Sequence, residues 1–125
     1  MGNRACVLFH DSRRVSPTVY LHWHGSQVPA WLADLRQQMQ GRHSDAEYAA
    51  ARFVGICHTH IDGNLGLGLK ANSLTVADLA RPSVLEDLSP GNAGLVVVNT
   101  ADFSWRAYGG YLSKSRPQPE RIQMT

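Results

Sequence analysis

The sequence predicts an α+β domain in which an antiparallel sheet is covered on one face by two helices. Two short apolar segments near the N-terminus are joined by a turn, two helical patterns follow, and further strand-like segments come after them. The hairpins near the two ends of the chain can pair in one sheet. The apolar stripes of the two helices are buried if the helices pack on one face of that sheet.

The first two strands are predicted at residues 5–9 and 19–23. The first is an apolar run that ends at the polar residues 10–14, and Ser16-Pro17 in the connection is a turn signal. The second run alternates, with Val19, Leu21 and Trp23 on one face and Tyr20, His22 and His24 on the other. An antiparallel hairpin follows from this pattern.

The two helices are predicted from apolar residues at helical spacing. Pro29 suits the first turn of the first helix, and Gly41 stands where its C-terminal cap belongs. Its apolar stripe comprises Val28, Trp31, Leu32, Leu35 and Met39. A capping box at residues 44–47 starts the second helix, and Gly63 ends it. The second stripe comprises Ala49, Phe53, Ile56, Cys57 and His60.

The remainder of the chain predicts three more strands. Leucines at 65, 67 and 69 alternate with Gly66 and Gly68, which leaves one face of a short strand without side chains. A short helix is expected at 75–80, a buried strand at 95–98, and a returning strand within 104–112. We therefore expect one domain over residues 1–112 and a loosely ordered tail at 113–125.

Composition limits the classes of function. A length of 125 residues fits one domain, and a net charge of +2 with scattered basic residues does not favour nucleic acid as a partner. Two cysteines suggest a reducing cytoplasm rather than a disulfide-stapled secreted domain. The sequence has no apolar run of bilayer length, so no membrane partner is expected.

Histidine pairs raise the question of a metal. His58, His60 and Asp62 resemble the His-x-His-x-Asp stretch of metallo-β-lactamase-like hydrolases, but Gly63 replaces the next histidine of that family and no histidine follows. His22 and His24 would need two further ligands to hold zinc. We therefore predict no metal, no cofactor and no catalytic residue, and keep a small metal-dependent hydrolase as an alternative.

Aromatic residues near the C-terminus favour binding. Trp105, Tyr108 and Tyr111 lie in the last strand region, and Arg106 falls between them. An aromatic plane beside a guanidinium can hold a planar base while the arginine meets phosphate. An edge strand with alternate burial would show the same pattern.

The order of several motifs resembles a family of short phage and prophage proteins, identified as the first Thoeris anti-defence family. The opening residues 1–5 (MGNRA) are followed by Tyr20-Leu21-His22-Trp23 with Gly25, then by Ala51-Arg52-Phe53, and later by Asn92-Ala93-Gly94-Leu95. The family's asparagine after the tryptophan is His24 here, its second glycine is Ser26, and its following arginine is Gln27. If the family's arginine contacts a phosphate, Gln27 removes that contact, and binding of a cyclic oligonucleotide would be weakened.

The resemblance implies an oligomeric sponge for an immune signal. Members enclose a cyclic ADP-ribose-type molecule, and some hold cyclic oligonucleotides at another site, without cleaving either. It makes Arg52 the candidate for a phosphate pair and Asn92 the candidate for an amide contact, and places further candidate ligand residues at His22, His24 and Gln27. We expect a counter-defence protein and homo-oligomer in the bacterial host cytoplasm. The alternative is an anti-CRISPR-type inhibitor that binds a bacterial immune protein directly.

Overall fold

The computed structural model describes residues 2–40, 45–61 and 65–115. Within these residues the chain forms a five-stranded mixed sheet and four α-helices. The strands are β1 (Ala5–His10), β2 (Thr18–Leu21), β3 (Leu67–Lys70), β4 (Gly94–Asn99) and β5 (Ser104–Tyr108). The helices are α1 (Val28–Gln38), α2 (Ala46–His60), α3 (Pro82–Asp87) and α4 (Leu112–Ser115).

The sheet has the strand order β3-β2-β1-β4-β5. The predicted hairpins β1–β2 and β4–β5 are antiparallel, as is the pair β2–β3. The central pair β1–β4 is parallel, with Ala5 opposite Gly94 and His10 opposite Asn99. The prediction of a purely antiparallel sheet is therefore wrong. Two strands and both long helices separate β1 from β4, which gives the chain the long crossover that parallel pairing requires.

The residues on one face of the sheet form part of the larger of two hydrophobic clusters. Val7 and Phe9 of β1 share this cluster with Trp31 of α1 and Phe53 of α2. The rings of Phe9 and Phe53 meet edge to face, with 5.5 Å between their centroids. The apolar stripes predicted for α1 and α2 thus supply much of this cluster.

The opposite face carries a second hydrophobic cluster, which the sequence patterns do not predict. Cys6, Leu8 and Leu95 are buried there with Leu85 of α3, and Leu79 packs against them. Both faces of the sheet therefore carry buried apolar residues, whereas only one covered face was predicted. A helix of six residues is too short to show a helical period, so α3 could not be predicted from the spacing of apolar residues.

The second strand ends earlier than predicted. β2 stops at Leu21, and a 3-10 turn at Gly25–Gln27 leads into α1. The alternation of faces does not continue to Trp23, whose side chain is 48% exposed rather than in the core. Trp31, which belongs to the apolar stripe predicted for the first helix, is buried in the core.

The N-terminus of α2 is capped by two carboxylates. Asp45 Oδ1 accepts a hydrogen bond of 2.9 Å from the amide of Tyr48, and Asp11 Oδ2 accepts one of 3.1 Å from the amide of Ala46. Asp11 lies in the β1–β2 connection, so its hydrogen bond to Ala46 links the β1–β2 hairpin to α2. The predicted cap residues Gly41, Ser44 and Gly63 lie outside the described residues.

The last described element is α4, which extends three residues past the predicted end of the domain at 112. The rest of the predicted tail, residues 116–125, lies outside the described residues. None of the described helices has the length and apolarity that crossing a bilayer requires.

Candidate ligand-binding surfaces

Arg4 and Asn92 meet at one end of the sheet. Because β1 and β4 are parallel and start in register, the residues just before each strand come together there. Asn92 Oδ1 accepts hydrogen bonds from the Arg4 backbone amide at 3.1 Å and from Arg4 Nε at 3.0 Å. The same oxygen therefore fixes both the backbone and the guanidinium of Arg4, whose two terminal nitrogens are not used in this contact.

Asn92 is a site residue predicted from the sequence, whereas Arg4 is not. The signal that could have found it is positional, since Arg4 directly precedes the first strand and Asn92 closely precedes the fourth. Only a parallel β1–β4 pair makes those positions neighbours, whereas the sheet predicted from the sequence is antiparallel.

Residues 3–5 and 22–25, which also belong to the resemblance, reach the same end of the sheet, whereas residues 51–53 lie on α2. Asn3 accepts a 2.8 Å hydrogen bond at its carbonyl from the amide of Gly25, and its own amide donates to the carbonyl of His22 at 2.8 Å. The hydroxyl of Tyr111 donates to Asn3 Oδ1 at 2.6 Å. A Cβ added at Gly25 would lie 2.6 Å from the Asn3 carbonyl oxygen, so this close approach requires glycine.

His22 belongs to a row of polar and aromatic groups beside this end. Its Nδ1 lies 2.8 Å from the hydroxyl of Tyr20, and the ring of Trp23 meets it edge to face at 4.4 Å. The ammonium of Lys70 lies 4.6 Å from the centroid of the Tyr20 ring, a cation–π distance.

His24 does not share the surroundings of His22. Its ring stacks on Trp31 at 5.8 Å, and His60 of α2 stacks on the same tryptophan at 5.3 Å. Trp31 thus links one member of each histidine pair. His24 Nδ1 is buried and has no hydrogen-bond partner among the described residues.

The described residues contain no group of three or more histidine, cysteine, aspartate or glutamate side chains placed to hold a metal ion. Asp62, the carboxylate of the His-x-His-x-Asp stretch, lies outside the described residues.

Arg52 lies exposed on α2, at the side of an open groove of about 310 Å³. The groove is lined by Gln38, Ala51, Arg52, Gly55, Ile56 and Thr59. The Thr59 hydroxyl donates to the Gly55 carbonyl at 3.0 Å, whereas no carboxylate forms an ion pair with Arg52 within the described ranges. A Cβ added at Gly55 would meet nothing within 4 Å, so there is free space beside that residue.

Three other candidates lie apart from this groove or from one another. Gln27 is exposed at the start of α1 and makes no side-chain cap. On β5, Trp105 packs against the larger cluster, whereas Arg106 lies opposite Val97, a member of the second cluster. Trp105 and Arg106 therefore occupy opposite faces of the sheet and do not form one sandwich for a base.

Neither described cysteine has the properties of a nucleophile. Burial raises the pKa of Cys57 to about 12, and also raises that of Cys6, although the charges of Lys70 and Arg4 partly oppose the effect at Cys6. The thiolate is the reactive form of cysteine, so a raised pKa keeps both thiols unreactive near neutral pH. This agrees with the position of Cys57 on the buried stripe of α2.

Comparisons with known proteins give no match: no family model, no curated protein and no solved structure matches this chain.

Proposed function

We propose that the protein binds and sequesters a nucleotide-derived signal, of the cyclic ADP-ribose type or a cyclic oligonucleotide, without cleaving it. The observation that carries the proposal is the exposed Arg52 beside the open groove on α2. The volume of about 310 Å³ lies at the lower end of the range for small-molecule pockets, roughly 300–1,000 Å³.

The groove offers the groups that a nucleotide needs. A guanidinium presents several N–H donors in a plane and can meet two phosphate oxygens together, which an ammonium does less well. The Gln38 side chain can both donate and accept hydrogen bonds, as a base edge or a ribose requires. Ile56 and Ala51 add apolar wall beside these polar groups. In this proposal the α1–α2 pair that covers one face of the sheet also forms the binding surface.

The groove is open to solvent, which favours an oligomer as the binding form. A single chain supplies one wall, and a second chain would enclose a ligand that has to be held rather than passed on. The resemblance to the phage anti-defence family supports the same class of ligand and a counter-defence role in a bacterial host cell.

Isothermal calorimetry with cyclic ADP-ribose and with a cyclic dinucleotide tests the proposal. Arg52→Lys keeps the positive charge but loses the paired donors, and we expect it to weaken binding by about 1.5–3 kcal/mol, the range for a hydrogen bond to a charged group. That is about ten- to a hundred-fold or slightly more in Kd. Arg13→Lys is the matched control, since Arg13 is also exposed and lies outside the groove.

A second variant tests the groove independently of charge. Gly55→Leu fills the free space beside Arg52, and leucine favours a helix more than glycine does. We expect it to lose binding while melting no lower than the parent. If Arg52→Lys binds as the parent does, the phosphate role is wrong. If the parent binds none of the nucleotides, sequestration is wrong, and a direct inhibitor of a bacterial immune protein becomes the better proposal.

A further inference from the structure

The outer edge of β3 is an unpaired sheet edge in the described part of the chain. β3 and β5 are the two terminal strands of the sheet. The main helix contacts of β5 are with α3 and α4, and the main helix contact of β3 is with α2. A strand edge without a neighbour presents backbone donors and acceptors to any second strand that approaches it.

The register of β3 shows which of its backbone groups point outward. The amide of His22 donates to the carbonyl of Gly66 at 2.8 Å, and Gly68 lies opposite Tyr20 in the same antiparallel pair. Hydrogen-bonded pairs alternate along antiparallel strands, so Gly66, Gly68 and Lys70 direct their backbone groups toward β2. The amides and carbonyls of Leu67 and Leu69 therefore point away from the sheet.

The side chains around this edge are apolar and exposed. Leu69 is 61% exposed and Leu65, just before β3, is fully exposed. Trp23, which is half-exposed, follows β2, and the hydrogen bond from the His22 amide to the Gly66 carbonyl holds the residues after β2 near those before β3. Three of the five large hydrophobic side chains that are exposed within the described residues thus belong to β3 or to the segments directly before β3 and after β2. Such a concentration is typical of an interaction surface.

We propose that this edge pairs with the β3 edge of a second copy of the chain, antiparallel about a two-fold axis at Gly68. The two five-stranded sheets then form one sheet of ten strands. Leu67 of one copy exchanges backbone hydrogen bonds with Leu69 of the second copy, and the symmetric pair does the same. All four outward backbone groups of these two residues are satisfied in each chain.

Charge and space both suit this particular register. Lys70 lies opposite Gly66 of the second copy, so the two ammonium groups are not opposed. The two Gly68 residues face each other on the axis, where a Cβ would meet nothing within 4 Å in the single chain. Leu69 packs beside Leu67 of the second copy, which removes exposed apolar surface from water. An isologous contact of this kind closes as a dimer and leaves no further β3 edge.

Cysteine cross-linking tests the register directly. In this arrangement the Gly68 pair is the non-hydrogen-bonded pair on the axis, where Cα atoms lie about 4.5 Å apart, within the range that a disulfide spans. We expect Gly68→Cys to form a disulfide-linked dimer under mild oxidation, seen as a band of twice the chain mass on a non-reducing gel. Ala77→Cys, exposed on the 3-10 helix at Val76–Ala80, is the control and should not.

Light scattering tests the interface without a new thiol. Leu69→Lys places a charge in the proposed contact and should halve the mass of the parent particle without changing the circular dichroism spectrum. Leu88→Lys is the matched control, because Leu88 is 48% exposed at the end of α3 and lies outside the edge. A parent that is monomeric at about 100 µM overturns the proposal, as does an oligomer that keeps its mass in Leu69→Lys. Absence of the Gly68→Cys cross-link overturns the register. The test uses no nucleotide, so its result is independent of the proposed ligand.

Discussion

Asn92 has two roles in the turn before β4. Its backbone adopts a φ of 54°, a left-handed conformation that asparagine tolerates better than most residues, and its side-chain oxygen accepts both hydrogen bonds from Arg4. The family resemblance implies a ligand contact for Asn92. In the structure, Asn92 Oδ1 instead accepts hydrogen bonds from Arg4 of the same chain. A ligand at this end of the sheet would therefore meet a guanidinium that is already held in place.

Asn92→Ala should lower the free energy of unfolding by about 2–4 kcal/mol. Alanine in the left-handed region costs about 1–2 kcal/mol, and the lost hydrogen bonds to Arg4 account for the remainder. Urea denaturation measures the change. Asn92→Asp keeps an acceptor oxygen and also tolerates the left-handed region, so it should stay within about 1 kcal/mol of the parent. Equal stability of Asn92→Ala and the parent would mean that the Arg4 contact contributes nothing.

At the scale of elements, the start of α2 shows how a loop and a helix stabilise each other. Asp11 accepts hydrogen bonds from the amides of Arg13 and Arg14 within its own loop and from the amide of Ala46 at the helix N-terminus. Partial desolvation alone would raise the pKa of Asp11, but these backbone hydrogen bonds outweigh it and hold the pKa below its ordinary value of 3.8. A carboxylate at a helix N-terminus is also favoured by the helix dipole.

Asp11→Ala should destabilise the protein at pH 7 by about 1–2 kcal/mol, as loss of a helix cap does. A carboxyl whose pKa is lowered by folding stabilises the protein above its unfolded pKa, and that stabilisation is lost as the pH falls through the folded pKa. The difference between variant and parent should therefore be constant above about pH 5 and shrink below about pH 4. Asp34→Ala, at an exposed position on α1, is the control. A difference that does not change with pH would exclude the ionised carboxylate as the cause.

Local patterns predicted the elements better than their arrangement. A local pattern of apolar residues predicts α1, α2 and β4, because each pattern involves residues close together in the chain. The structure confirms these three elements. The parallel pairing of β1 with β4 depends on residues far apart in the chain, for which no local pattern exists. Trp23 was misplaced because the alternation of β2 continues in sequence after the strand has ended at Leu21.

At the scale of the whole molecule, the candidate residues divide among separate surfaces. Arg52 lies at the groove on α2, whereas Asn92 and His22 approach Arg4 and Asn3 at one end of the sheet. Exposure of Arg52 could be predicted, because it stands at the edge of a helical stripe. The separation of His22 from His24 could not, since it depends on where β2 ends, and Arg4 became a candidate only through the parallel strand pair. A second copy of the chain could enclose the open groove on α2, and a second copy could pair with the edge of β3.

Sequestration requires that the bound signal is held and not cleaved. The direct test mixes the purified protein with a cyclic ADP-ribose-type signal, separates the complex by gel filtration, releases the small molecules by heating and measures their masses. We predict that the protein fraction carries the signal and that heating returns it with its mass unchanged, and that the Gly55→Leu protein carries none. Release of a linear or fragmented product would show catalysis instead, and a protein fraction from which no nucleotide is released would contradict sequestration altogether.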